Sequence, residues 1–126
     1  MTHPLIERLT NEFSYPMLTT DTLEAFLAAN EYSVLFFTED ATKQKETPDV
    51  AVVLPELVAT FPMLKAAVIS RDSEKELQER FNFLQWPALV FCKGTGFLGS
   101  IARIRDWDDY MVSVPEILSR TPKVLA

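Results

Sequence analysis

The chain has 126 residues, room for one domain and not comfortably for two, and its 48% hydrophobic and 24% charged residues are an ordinary globular balance. One cysteine, Cys92, and one histidine, His3, exclude an internal disulfide, a dithiol redox pair and a structural zinc site and leave open only a hard, carboxylate-only metal site; no metal or cofactor is expected. Twelve basic against 18 acidic residues leave a net charge of −6, which argues against nucleic-acid binding and favours cationic partners.

Residues 3–12 read as a short first helix, with Leu5, Ile6 and Leu9 on one face. The stretch before them lacks the apolar core of a signal peptide, and no apolar run nears the ~20 residues of a membrane span. A cytoplasmic protein without membrane insertion is expected. Tyr15-Pro16-Met17-Leu18 suits a short edge strand, where proline is tolerated. Thr20 is placed to cap a helix bearing Leu23, Phe26 and Leu27.

Ser33-Val34-Leu35-Phe36-Phe37 is a near-continuous apolar run, as in a strand buried on both faces. Thr38 to Asp49 carries many charges and no core periodicity, and reads as an exposed loop. Val53, Leu54, Leu57 and Val58 then recur at helical spacing, with Pro55 expected to kink the helix. Leu64 to Ile69 is the next strand. Ser70 to Ser73 reads as a turn into a helix from Glu74 to Phe81. Ala88 to Cys92 and Phe97 to Ile104 form a hairpin about Lys93-Gly94-Thr95-Gly96. A last helix begins near Asp106 and holds Pro115. Alternating strands and helices imply parallel pairing, and the closing hairpin adds an antiparallel portion.

Gly94-Thr95-Gly96-Phe97-Leu98-Gly99 matches G-x-G-x-x-G letter for letter. A dinucleotide site needs a helix next, but the β-like Ser100-Ile101-Ala102-Arg103 follows. The glycines are assigned to a hairpin turn, as sources of positive φ. Cys92 ends an apolar strand and reads as a small buried hydrophobe. Asp106, Asp108 and Asp109 suit the positive end of the last helix, with N-capping. Glu39, Asp40, Glu46 and Asp49 make a sparse acidic loop, either solvated or a docking surface for a basic segment. Trp86-Pro87 stands before a strand, and X-Pro is the one bond type where cis is cheap.

The element order, with Trp86-Pro87 between a helix and a hairpin, resembles the thioredoxin fold. That resemblance implies a three-layer α/β/α sandwich over residues 1–126, a mixed parallel and antiparallel sheet, and a cis bond at Trp86-Pro87. Pro55 looks like that fold's kink proline, which puts the redox loop at Thr47-Pro48-Asp49-Val50, where no thiol stands. Arg80-Phe81, Pro87-Ala88, Val90 or Phe91, Gly99, Ile104 and Trp107 are similar to the HyaE/HupG family of nickel–iron hydrogenase accessory proteins. Membership would imply a non-enzymatic chaperone that binds the hydrogenase small subunit, its twin-arginine signal peptide, or both, before export. On that reading Glu39, Asp40, Glu46 and Asp49 supply charge, and Trp86 and Pro87 the apolar contact. The alternatives are an oxidoreductase acting through Cys92 alone, or a redox-inactive adaptor of another pathway.

Overall fold

The computed structural model describes residues 3–39 and 43–123. Helix α1 (Pro4–Asn11) leads to strand β1 (Met17–Leu18), helix α2 (Leu23–Ala29) and strand β2 (Tyr32–Phe37). Helix α3 (Thr47–Thr60), strand β3 (Leu64–Ile69) and helix α4 (Arg71–Phe81) follow. Strands β4 (Ala88–Lys93) and β5 (Gly96–Ala102) and helix α5 (Trp107–Leu118) complete the order.

The five strands lie in the order β1-β3-β2-β4-β5. β2 is central because both its faces are apolar. It pairs parallel with β3 and antiparallel with β4. Its side chains alternate between two cores. Val34 and Phe36 enter one with residues of α1, α3 and α5. Leu35 and Phe37 enter the other with Leu23 and Leu27 of α2 and Leu77 and Phe81 of α4. Helices therefore cover both faces of a mixed sheet, the three-layer architecture the sequence implies.

Several boundaries differ from expectation, each for a local reason. α2 begins at Leu23, because the Thr22 hydroxyl accepts the Thr19 N–H (2.8 Å) and closes the preceding turn. The Thr20 N–H goes instead to the Ser73 hydroxyl (3.1 Å). α4 begins at Arg71, not Glu74; the expected turn is its first turn, with Asp72 and Glu74 at the positive end. α3 begins at Thr47 and runs through Pro55. Thr38 and Thr47 are buried, so the stretch read as an exposed loop is anchored at both ends. At α5 the Asp106 side chain makes no capping bond; its carbonyl accepts the Asp109 N–H (3.0 Å) instead.

The glycines divide by role. Gly94 takes a left-handed φ of +55°, as a hairpin turn requires. Gly96 and Gly99 have no such φ; they give room for the C-terminal segment. A Cβ on Gly96 would lie 2.6 Å from Cβ of Pro122, and one on Gly99 3.3 Å from Cγ2 of Ile117. Backbone bonds between Phe97 and Lys123 (2.8 and 2.9 Å) secure that segment against β5.

Candidate functional site

Register brings three distant segments to one end of the sheet. Phe37 pairs with Ala88, and Ala88 with Ala102. One residue beyond these lie Thr38, Pro87 and Arg103. The Trp86–Pro87 peptide bond is cis. The Arg103 N–H donates to the Pro87 carbonyl (2.7 Å) with Arg103 at a left-handed φ of +65°, an uncommon conformation for a residue with a side chain. The Thr47 hydroxyl donates to the Thr38 carbonyl (2.8 Å), pinning the start of α3 to the end of β2.

The predicted acids meet this end unequally. Glu46 is engaged within the chain: Oε2 accepts from Nε of Arg103 (3.0 Å) and Oε1 from the Ile104 N–H (2.8 Å). The Arg103 hydrogen bond, then that of Ile104, holds the Glu46 carboxyl below the usual carboxylate range. Glu39 is half-buried, at φ +50°, and accepts from Nε2 of Gln44 (3.1 Å). Asp49 is exposed in the first turn of α3. Asp40 lies outside the described residues. Lys43 and Lys45 are exposed next to these acids in sequence, and Arg103 and Arg105 are exposed just beyond β5, so charges of both signs border the site.

Trp86 is half-buried, its ring edge-on to Phe83 (5.0 Å) and Phe37 (6.1 Å). Two residues earlier Leu84 is 85% exposed, an apolar side chain in water beside the Pro87 turn. Leu84 carries no sequence signal of its own beyond its place in Phe83-Leu84-Gln85-Trp86, which leads into that proline. The role of Glu74 is likewise not legible in the sequence. This carboxylate is buried, and its Oε2 accepts the Thr38 N–H (2.6 Å), the Thr38 hydroxyl (3.2 Å) and the Glu39 N–H (2.9 Å). Its Oε1 pairs with Arg71 (3.0 Å). Burial outweighs these bonds and raises the Glu74 pKa. An acid within the charged run of α4 reads as solvent-facing, and only the helix's true start turns it inward.

The thiol stands elsewhere. Cys92 is fully buried and pairs across the sheet with Ser33. Ser33 is four residues, about 13 Å of strand, from the Phe37 end. Burial pushes the Cys92 thiol up to about 12. At neutral pH such a group stays a thiol, and the thiolate is the nucleophile. Native protein is therefore expected to resist a disulfide labelling reagent until it unfolds. A chromophore-release assay checks this, and rapid native labelling would place Cys92 at the surface. Among the described residues no group of three or more His, Cys, Asp or Glu could hold a metal ion. No described helix is long and apolar enough to cross a membrane.

Comparison with known proteins places this geometry. The model of a family described as hydrogenase-1 expression protein HyaE matches residues 5–110. The chain is 45% identical over 119 residues to the hydrogenase expression/formation protein HoxO of Azotobacter vinelandii, covering 94% of this chain and 80% of that one. A crystal structure described as that of a hydrogenase expression/formation protein HupG from Rhodopseudomonas palustris superposes with a TM-score of 0.59 at 36% identity, over 82% of this chain and 95% of that one. Mitochondrial thioredoxin 3 of Saccharomyces cerevisiae shares the fold at 17% identity, with a TM-score of 0.62 over 72% of this chain and 85% of that one. The fold is thus that of thioredoxin, and the helix after the central strand opens on Thr47-Pro48-Asp49-Val50, with no cysteine. On the family match and these relatives, the chain belongs to the HyaE family of hydrogenase expression proteins.

Proposed function

We propose that the chain serves hydrogenase expression and formation as a non-enzymatic binding protein, holding the hydrogenase small subunit by its twin-arginine signal peptide before export. The supporting observation is the separation of the thiol from the Pro87 turn. Cys92 is sealed in the core, while the Pro87 end of the sheet is closed by Thr38, Thr47 and Glu74. Among the described residues this end of the sheet therefore carries no thiol. An extended segment beside Pro87 would meet the exposed Leu84 and the edge of Trp86. Its basic residues would meet Glu39, Asp49 and, in sequence, Asp40. Glu46 is less available than Asp49 because Arg103 already occupies its carboxylate.

Such charges accelerate encounter more than they tighten the complex. The test is binding of the small subunit, with and without its signal peptide, to wild type and to the double variant Glu39→Lys, Asp49→Lys. Wild type is expected to prefer the subunit carrying the signal peptide. The variant is expected to associate about 10-fold more slowly at low salt and to lose most of its salt dependence. Equal binding of both subunit forms would overturn the signal-peptide reading. Unchanged salt dependence would overturn the electrostatic part alone.

A further inference from the structure

At the opposite side of the sheet, strand β3 is longer than the strand that covers its outer edge. β1 pairs only Met17 with Val68 and Leu18 with Ile69. Val68 gives its N–H to the Pro16 carbonyl (2.9 Å) and Ser70 gives its own to Leu18 (2.7 Å). Along a strand the backbone groups of alternate residues point to the same edge. The N–H and C=O of Ala66, two residues before Val68, therefore face the β1 side. β1 leaves them unmet. A strand continuing in register would offer the Ala66 carbonyl the N–H of residue 16, but Pro16 has none. It would offer the Ala66 N–H the carbonyl of residue 14, but the chain turns aside there. Ser14 sits at φ +58°, and Tyr15 gives its N–H to Leu9 of α1 (3.0 Å).

A groove of about 390 Å³ opens over this edge. Phe26 of α2 and Asn30 just after it line one side, Val58 of α3 and Pro62 the other, and Phe13 and Tyr15 the end. Phe13 is 37% exposed and its ring stacks on Tyr15 (5.8 Å). The lining has one charged residue, the exposed Lys65, and no carboxylate, in a chain whose net charge is −6. The open N–H and C=O of Ala66, a lining that mixes apolar side chains with Ser14 and Asn30, and cations at Lys65 and, over the Phe13 ring, Arg8 suit an extended segment that carries a carboxylate. We propose that this edge binds an extended acidic peptide segment of a partner protein, which adds as a short strand beside Leu64–Ala66. Its backbone would pair with Ala66, an apolar side chain would enter between Val58 and Phe13, and a neighbouring carboxylate would meet Lys65. This surface is separate from the Pro87 end and opposite to it in charge preference.

The test uses the full chain and a capped hexapeptide of alternating valine and glutamate, followed by amide NMR. The expected result is binding with a Kd of about 1 mM or tighter, shifts at Leu64, Lys65, Ala66 and Tyr15, and hydrogen exchange at Ala66 slowed about 10-fold. The same peptide N-methylated at alternate residues should not bind, because its edge donors are gone. Lys65→Glu, at an exposed position, should weaken the glutamate peptide about 10-fold and favour its lysine counterpart. Three outcomes overturn the proposal: no shift at these amides, equal binding of the N-methylated peptide, or concentration-dependent shifts at the same amides without peptide. The last would make the edge a contact between copies of this chain.

Discussion

Replacing Phe37 by alanine is expected to lower the free energy of unfolding by about 3–5 kcal/mol. Phe37 is fully buried at the end of β2. Its ring meets those of Phe83 (4.8 Å), Phe81 (6.1 Å) and Trp86 (6.1 Å) edge-on. Removing it takes away both the transfer free energy of the ring and the packing of three neighbours. The shape of the Pro87 turn depends on this cluster, because Trp86 has no strand of its own to hold it. Urea denaturation gives the stability loss. Fluorescence in a Trp107→Phe background, which leaves Trp86 as the sole tryptophan, gives the second readout: its emission should move to the red in the folded variant. Phe37→Leu, which keeps most of the volume, should cost much less. A loss below about 1 kcal/mol for alanine would mean the cluster collapses around the gap.

Glu74→Ala is expected to cost about 3 kcal/mol, a large effect for an acid on a charge-rich helix. The loss comes from stranded donors. The N–H groups of Thr38 and Glu39 and the Thr38 hydroxyl all point at Oε2, and Thr38 is itself buried. Glu74→Gln keeps an acceptor oxygen and should cost about 1 kcal/mol. Their pH dependence separates charge from geometry. The folded pKa of Glu74 is raised above its ordinary 4.5, chiefly by burial, so the folded chain holds the proton more tightly than the unfolded one. Stability from this group is then fully present below the unfolded value and is lost as pH rises through the folded one. Wild type should lose ground to Glu74→Gln across that window and run parallel to it above. Denaturation curves at stepped pH check this; a gap that widens in wild type's favour as pH rises would show that the hydrogen bonds outweigh desolvation.

The parts of the fold legible in the sequence are those written in local pattern. Ser33 to Phe37 is apolar at every position after its first, and only a central strand covered on both faces accommodates that. Cys92 at the end of a second such run read as buried, and is. The site was less legible, because its contacts join residues far apart in the chain. Glu74 reaches Thr38 across 36 positions, and Arg103 reaches Glu46 across 57. Composition shows only that residues 38–49 are charged; it cannot show that Glu46 is already paired or that Thr38 and Thr47 turn inward. The glycines carry the same lesson. Their spacing suggests turn residues throughout, yet Gly96 and Gly99 are small because Pro122 and Ile117 lie against them.

The Pro87 end of the sheet has a thermodynamic consequence. Thr38, Glu74, Pro87 and Arg103 come from four separate stretches, and each is held there by a bond to another of them or to Thr47 or Glu46. No fragment of the chain carries this surface, so it exists only when β2, α4, β4 and β5 are all in place. A ligand that recognises it binds the folded state and not the unfolded one. Occupancy at 100 times the dissociation constant would then add about 2.7 kcal/mol to the stability of the entire domain. A melting temperature that climbs with ligand concentration is the signature of that linkage, and it would be read far from the contact itself.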